Sequence, residues 1–175
     1  GIPGSVGGAV VMNAGAYGGE MAQVVTDVTV LDRGGALRTI PAADCGFGYR
    51  QSVFSSGEYL VLSARLALTK DSPEAIRARM DDLAARRREK QPLEYPSAGS
   101  MFKRPAGHFA AALIDQCGLK GFSVGGAQVS EKHAGFVVNR GGATCADVLA
   151  LVDQVKARVR TQTGVELEME VRVLR

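Results

Sequence analysis

Residues 59–90 read YLVLSARLALTKDSPEAIRARMDDLAARRREK, and the spacing of apolar residues changes within this stretch. From Tyr59 to Leu68 every second residue is apolar, which predicts a half-buried strand. The residues expected on its inner face are Leu60, Leu62, Ala64, Leu66 and Leu68. From Ser72 onward the apolar residues follow helical spacing instead, at Ile76, Met80, Leu83 and Ala84. Ser72 suits an N-cap and Pro73 the first helical position, so a helix begins here.

Strands dominate the sequence before this helix, and helices mix with strands after it. The first part contains a helical piece at 6–12, strands at 24–31 and 36–40 around the turn 32–35, and a helical turn at 41–44. The second part contains an irregular segment at 91–107, a helix at 110–117, a loop at 121–132, a strand at 134–139, a helix at 144–163 and a strand at 165–174. Because the helices and strands do not alternate regularly, we predict an α+β fold with domains 1–70 and 71–175.

Composition places the chain among folded proteins that have no strongly charged partner. It has 175 residues, 46% hydrophobic residues and a formal net charge of +3. That charge is too small to imply a nucleic-acid or membrane partner, and no apolar run reaches the roughly 18 residues that span a bilayer. Three widely spaced cysteines fit reduced thiols. We therefore expect a cytoplasmic protein with no nucleic-acid partner, no membrane association and no metal.

Glycine is abundant, and several of the 22 glycines lie in the first 19 residues. The loop GIPGSVGGA at 1–9 matches neither the phosphate-binding nor the dinucleotide-binding glycine motif. Its backbone N–H groups could meet an anion or an electron-rich ring, or the loop could be a tight structural turn. Because no strand precedes this loop, we expect an N-terminal part to be missing; the alternative is a trimmed but complete small domain.

Two other regions offer groups for catalysis. Ser100 precedes the cations Lys103 and Arg104, which suits a proton donor or an anion anchor, although it could equally cap the following turn. Glu166, Glu168 and Glu170 share one face of the last predicted strand. If that face is buried, the pKa of at least one carboxyl rises and it can donate a proton; if it faces water, nothing follows.

The remaining polar features favour structural or solvated roles. His108 and His133 have no partner at metal-ligand spacing, so a zinc site is not indicated. The run Arg86–Lys90 fits a solvated end of the helix, with a polyanion site as the alternative.

Five runs of sequence resemble the MurB family, the UDP-N-acetylenolpyruvoylglucosamine reductases, in that family's order and over nearly the whole chain. The runs are GIPGSVGGAVVMNAGAYG (1–18), GFGYR (46–50), YPSAGSMFKRP (95–105), GGAQVSEKHAGF (125–136) and LEMEVRV (167–173). The resemblance is to the compact type II form, without the first half of its FAD-binding region. It implies the second half of an FAD-binding domain at 1–70 and a substrate-binding domain at 71–175.

The resemblance also implies a reaction and its residues. In this family NADPH reduces FAD, and the enolpyruvyl ether of a UDP-sugar is then reduced to UDP-N-acetylmuramate for peptidoglycan synthesis. The family motifs place the catalytic roles on Arg50, Ser100 and Glu170. They place substrate binding on Tyr49, Lys103 and Gln128, and FAD binding on Gly4, Ser5, Gly8, Asn13 and Tyr17. A monomer is expected.

Two other functions remain open at this stage. The chain could bind the UDP-sugar without catalysis, because part of the FAD site is expected to be absent. It could also be another flavin oxidoreductase of the same fold group. Flavin colour in the purified chain distinguishes the first alternative, and turnover of an unrelated alcohol the second.

Overall fold

The structure is a computed structural model that describes Ile2 and residues 4–174; Gly1 and Pro3 of the glycine-rich loop lie outside the described residues, as does Arg175. Helices and antiparallel sheets are present together, so the α+β prediction is confirmed. The chain forms two compact units, one ending at Leu83 and the other beginning at Ala84. The units divide within a helix, whereas the domain boundary at 70/71 stays a prediction.

The first unit starts with a short helix and is built around a three-stranded sheet. Helix α1 (Val6–Val11) is followed by the strands β1 (Gly15–Ala16) and β2 (Gly19–Glu20). Strands β3 (Val25–Asp32), β4 (Leu37–Pro41) and β5 (Tyr59–Leu66) pair antiparallel in the order β4-β3-β5. Short 3-10 turns lie at 21–23, 42–44 and 53–56. The predicted turn at 32–35 is confirmed: Asp32 Oδ1 accepts hydrogen bonds from the N–H groups of Gly34 and Ala36, both at 2.9 Å.

Most of the face of β5 that we predicted to be buried is exposed. Leu60 and Leu62 are 62% and 50% exposed, and Leu66 and Leu68 are exposed as well. Of the five predicted residues Ala64 alone packs against the core, together with Tyr59 and Val61. The cause is a bulge, because Val30 pairs with Val61 while Thr29 pairs with Ser63, and the pairing skips Leu62. A bulge moves later residues to the opposite face. The core of this unit is therefore carried by other residues: Val10, Val25, Val28, Val30, Cys45 and Phe54.

Helix α2 (Pro73–Lys90) has the predicted bounds but not the predicted burial. The Ser72 hydroxyl accepts the Ala75 N–H at 3.1 Å, as expected of an N-cap. The predicted stripe is wrong, because Ile76, Met80 and Leu83 are all exposed and no residue of the helix is buried. Its spacing is helical, but apolar spacing alone does not provide a surface to pack against.

The second unit packs helices on a four-stranded antiparallel sheet. Strands β6 (Ser97–Ser100), β7 (Ser123–Val124), β8 (Ala127–Val129) and β9 (Phe136–Asn139) lie in the order β6-β9-β8-β7. Helices α3 (Ala110–Gln116) and α4 (Cys145–Thr163) confirm two predicted helices. The apolar spacing predicts two buried stripes: Ala110, Leu113, Ile114 and Cys117 on one helix, and Val148, Val152, Val155 and Val159 on the other. All of these residues are buried except Cys117 and Val148, which are partly buried, and Leu151 is a buried residue that the spacing did not predict.

Both ends of α4 are as predicted. The Thr144 hydroxyl accepts the Asp147 N–H at 3.1 Å, and Asp147 in turn accepts the Thr144 N–H at 2.8 Å. The hydrogen bond from the Thr144 N–H is the main cause that lowers the pKa of Asp147. At the other end, Gly164 takes the left-handed conformation, with φ of 73°.

In the second unit, three strands lie where we predicted none, and one predicted strand is almost absent. Strand β6 lies in the segment predicted to be irregular, and the β7–β8 hairpin in the segment predicted to be a loop. Strands of two to four residues are too short for a periodic signal. The predicted strand 165–174 is reduced to one bridge, between Met169 and Phe102. Its partner segment soon reaches Pro105, which has no N–H to donate.

We predict that Leu62→Ala changes the free energy of unfolding of the first unit by less than about 0.5 kcal/mol. The matched change Val28→Ala removes two methyl groups from a fully buried site and should cost about 1–3 kcal/mol. Urea denaturation of both variants measures the difference. An equal cost for both variants would contradict the exposed leucine face.

Candidate active site

Ser100 is the last residue of β6, on the sheet face opposite to the one that packs against α3 and α4. Phe136 and Val138 lie two apart on β9 and so point to the same side. Ser100 pairs with Phe136, while Ser97 and Gln128 pair with Val138. On the other side Ala127, Val129 and Val137 belong to the core shared with the helices. Ser100 and Gln128, both predicted site residues, therefore share one face, and Ser100 is exposed on it.

Glu170 is held beside Ser100 by the peptide group of Met101. The Met101 N–H donates to Gly135 O at 2.8 Å, and the Glu170 N–H donates to Met101 O at 2.9 Å. Of the three glutamates that alternate along this segment, only Glu170 is half-buried, whereas Glu166 and Glu168 are exposed. The structure therefore brings two of the three predicted catalytic residues to neighbouring backbone positions.

The two cations that follow Ser100 both have partners. The Lys103 ammonium pairs with the Glu168 carboxylate, and Lys103 N–H also donates to Glu168 O at 2.9 Å. The Arg104 guanidinium stacks on the Phe109 ring at 3.9 Å from its centroid. The Lys103–Glu168 pair is exposed on both sides, so it contributes only about 0–1 kcal/mol. A phosphate can therefore displace Glu168 from Lys103 at little cost.

Gln128 lines a small polar pocket of about 230 Å³. Its Nε2 donates to Gly121 O at 3.1 Å, which orients the carboxamide. The pocket is also lined by three residues that were not among the predicted site residues, Tyr95, Lys132 and Arg140. The Arg140 guanidinium lies 4.2 Å from the Tyr95 ring centroid. These residues come from separate segments, and no spacing in the sequence links them.

Arg50 belongs to the first unit and lies in a strained turn. Its φ is 56°, in the left-handed region that few side-chain-bearing residues adopt. The turn is closed by hydrogen bonds in both directions between Gly48 and Gln51, at 3.1 and 3.3 Å. The guanidinium lies 5.0 Å from the ring centroid of Tyr49, which is 54% exposed. The two predicted substrate-facing residues of this unit are thus neighbours on an accessible turn.

Asn13 fixes this turn to the glycine-rich segment. It is 1% exposed, and its Nδ2 donates to Gly48 O at 3.1 Å. Its Oδ1 accepts the Ala22 N–H at 2.9 Å, and its φ is 43°. The amide is therefore used inside the protein, which makes Asn13 a clamp between two loops.

The other predicted FAD residues leave an open backbone surface. Ser5 caps α1 by accepting the Gly8 N–H at 3.1 Å. A Cβ atom built on Gly4 would meet no atom within 4 Å, and neither would one on the neighbouring Gly7 or Gly18, whereas one on Gly8 would lie 3.3 Å from Ser5 Oγ. Tyr17 is 45% exposed. A flat aromatic group can approach such a surface closely, so these residues fit a flavin.

The described residues contain neither a cluster of metal ligands nor a membrane-spanning helix. Within them, no group of three or more His, Cys, Asp or Glu side chains is arranged to hold a metal ion. Ile2 and residues 4–174 contain no helix with the length and apolarity needed to cross a bilayer.

Comparison with known proteins gives a consistent result. Residues 91–174 match the family described as UDP-N-acetylenolpyruvoylglucosamine reductase, C-terminal domain. Proteins named UDP-N-acetylenolpyruvoylglucosamine reductase from Syntrophomonas wolfei and Clostridium novyi are 56% and 53% identical over 99% of this chain. The chain covers 58% and 57% of their lengths, a little over half.

A solved structure supports the same relationship. The crystal structure of the reductase MurB from Thermus caldophilus superposes with a TM-score of 0.83 at 42% identity. The match covers 97% of this chain and 61% of that one.

We predict that Asn13→Ala lowers the free energy of unfolding of the first unit by about 2–4 kcal/mol. The change leaves Gly48 O and the Ala22 N–H without their partner and keeps a side chain in the left-handed region. Asn13→Gly loses the same bonds but tolerates the positive φ, so it should cost about 1 kcal/mol less. Urea denaturation tests both, and two variants as stable as the parent would refute the clamp.

Proposed function

Because the chain belongs to the UDP-N-acetylenolpyruvoylglucosamine reductase family, we propose that it supplies the substrate-reducing site of such an enzyme. The reaction is reduction of the enolpyruvyl ether of UDP-N-acetylglucosamine to UDP-N-acetylmuramate, in peptidoglycan synthesis. The observation that carries the proposal is the juxtaposition of Ser100 and Glu170 across the Met101 peptide.

The proposed reaction adds one hydride and one proton across a carbon–carbon double bond. A flavin held by Gly4, Ser5, Gly8 and Tyr17 would supply, when bound, the hydride that is added to C3 of the enolpyruvyl group, with NADPH as the source of the two electrons. The electron pair of the double bond then moves onto C2 and the attached carboxylate, so negative charge develops on the carboxylate oxygens. The protein must stabilise this charge and supply a proton to C2.

Arg50 and Glu170 would stabilise the developing charge. A guanidinium holds a carboxylate through two parallel hydrogen bonds, and such bonds strengthen as charge accumulates on the oxygens. The left-handed turn and the Tyr49 ring restrict where the Arg50 side chain can lie. Glu170, in its protonated form, would donate a hydrogen bond to the same oxygens.

Ser100 would give the proton to C2. A serine hydroxyl is a weak acid and protonates only a strongly basic carbon, such as the enolate carbon that hydride addition creates. Ser100 is exposed at the end of β6, so a substrate can reach its hydroxyl from the side of the sheet opposite α3 and α4. The order of events follows from this acidity: hydride arrives first and the proton second.

The remaining roles complete the proposal. Lys103, Gln128 and Tyr49 would bind the UDP-sugar, while Gly4, Ser5, Gly8 and Tyr17 would line the flavin, with Asn13 placing the turn beside it. Residues 1–70 would be the remainder of an FAD-binding domain and 71–175 the substrate domain. We further propose a cytoplasmic monomer.

A second function is favoured by the share of the relatives that the chain spans. It covers 58% of the Syntrophomonas wolfei protein, so part of the flavin site is expected elsewhere in a full-length relative. The chain alone would then bind the UDP-sugar without reducing it. Two measurements distinguish the two functions. The chain is mixed with FAD, desalted and examined for flavin absorbance, and binding of the enolpyruvyl UDP-sugar is measured by calorimetric titration. Sugar binding with no retained flavin identifies the second.

We predict that Ser100→Ala leaves reduction of the flavin by NADPH unchanged but slows its reoxidation by the enolpyruvyl sugar at least a hundredfold, because the proton donor is gone. The sample is a flavin-loaded protein that has the full length of the relatives. Stopped-flow absorbance measures its two half-reactions separately. Ser97→Ala, the same change on the same strand face, is the control and should retain both rates. Equal reoxidation rates in the two variants would remove Ser100 from the mechanism.

A further inference from the structure

A line of hydrogen bonds joins the His133 ring to the backbone of the candidate site. The Gly135 N–H donates to His133 Nδ1 at 3.2 Å. The carbonyl of Gly135 accepts the Met101 N–H at 2.8 Å, and the carbonyl of Met101 accepts the Glu170 N–H at 2.9 Å. Three donors and three acceptors thus connect an ionisable ring to the residues that flank the Ser100 and Glu170 side chains.

The His133 ring is packed in one place rather than free on the surface. It is half-buried and lies edge-on to the Phe136 ring, with centroids 4.9 Å apart. Phe136 is the cross-strand partner of Ser100. A Cβ atom on Gly135 would lie 3.1 Å from Cε1 of the ring, which is tighter than ordinary contact. Glycine at 135 is what allows the ring to reach the backbone N–H.

We propose that His133 is a positioning residue for the Ser100 and Glu170 site, and that it acts only as a neutral imidazole, by accepting the Gly135 N–H. The importance of Ser100 and Glu170 rests on the proposed function, but the coupling of His133 to their backbone does not. A protonated imidazole carries hydrogen on both nitrogens and cannot accept. Acid therefore breaks the first bond of the line.

The surroundings of the ring favour the neutral form. Burial lowers the pKa of His133 below its ordinary value of 6.5, and the Lys120 ammonium lowers it further. The backbone carbonyl of His133 itself opposes both effects, since a nearby carbonyl oxygen favours the protonated ring. Lys120 is paired with Asp115 at 2.7 Å, and Glu131 and Lys132 precede the ring in the same turn.

Because the folded-state pKa is lowered, the neutral ring stabilises the fold fully above the unfolded-state pKa. This contribution is lost as the pH falls from about 6.5 through the folded-state pKa.

The turn that carries His133 is closed without the ring, so protonation is a local event. The buried Ser130 hydroxyl accepts the N–H groups of Lys132 and His133 at 3.2 and 3.3 Å. Ser130 N–H donates to Phe136 O at 2.9 Å, and Phe136 N–H donates to His133 O at 3.0 Å. These bonds do not titrate. We therefore expect the Gly135 peptide to shift while the turn stays folded.

Nuclear magnetic resonance of the ¹⁵N-labelled chain between pH 4.5 and 8 tests the coupling without substrate or cofactor. We expect the amide signals of Gly135, Met101 and Glu170 to titrate with the midpoint of the His133 ring, below pH 6.5. Below that midpoint the protection of the Gly135 amide against exchange, measured relative to the intrinsic rate at the same pH, should fall about tenfold, since the amide has lost its acceptor. A ring that titrates while the Met101 and Glu170 amides stay fixed would overturn the proposal.

Variants separate the hydrogen bond from the packing. His133→Asn keeps an acceptor near the position of Nδ1 but does not titrate, so the three amides should become independent of pH. His133→Phe keeps an aromatic ring on Phe136 but has no acceptor. The Gly135 amide should therefore have low protection against exchange at every pH. His108→Asn removes the other histidine, which is exposed, and should leave the titration intact. Titration that persists in His133→Asn would assign the effect to another group and overturn the proposal.

Activity provides a second readout that depends on the proposed function. The sample is again a flavin-loaded protein that has the full length of the relatives. Its rate of flavin reoxidation by the substrate should fall in acid, with the same midpoint as the titration of His133. His133→Asn should retain the rate at low pH. If no variant reduces the enolpyruvyl sugar but the amides still titrate together, the proposed function fails while the positioning role stands.

Discussion

The peptide group of Met101 is the constraint on which the geometry of the second unit depends. Its N–H donates to the carbonyl of Gly135, just before strand β9, and its carbonyl accepts the Glu170 N–H of the C-terminal segment, while its side chain is 2% exposed within the core. A single backbone hydrogen bond contributes only about 0.5–1.5 kcal/mol to stability. Packing of α3 and α4 on the sheet therefore supplies most of the stability, whereas the two bonds of Met101 set the register that puts Ser100 next to Glu170.

The proposed catalytic residues Ser100 and Arg50 both lie where the backbone enters the left-handed region. Ser100 follows Gly99, whose φ of 86° turns the chain as β6 finishes, and Arg50 itself occupies the left-handed region. A residue with a Cβ loses roughly 1–2 kcal/mol in that conformation. Asn13 offsets part of this cost in the first unit by bonding the carbonyl of Gly48, two residues before Arg50. Strain at the site is thus compensated by a buried amide beside it.

The sequence predicts the long-period elements well and the short ones poorly. Helix α4 follows from the spacing of Val148, Val152, Val155 and Val159 and from its capping residues, which are local signals. The inner face of β5 does not follow from the spacing of its residues, because the bulge at Leu62 depends on the pairing with β3. Similarly, Val165–Leu174 alternates as a strand does, yet its bonding partner is only Met101–Lys103. Alternation still predicts which residues are buried there, since Leu167 is 1% exposed.

The candidate site was accessible from the sequence only through motifs, because its residues are far apart in the chain. Ser100 and Glu170 are separated by 70 positions, and no periodicity indicates that they meet. His133 shows the same difficulty from the other side: its spacing suggested a structural or solvated histidine, and its packing against Phe136 is indeed structural. No sequence pattern reveals that Nδ1 of His133 accepts the Gly135 N–H. This bond places a titratable ring at the start of the hydrogen bonds that lead to Met101 and Glu170. A side chain whose contacts are structural can therefore also influence the position of a catalytic side chain, through the hydrogen bonds of the backbone between them.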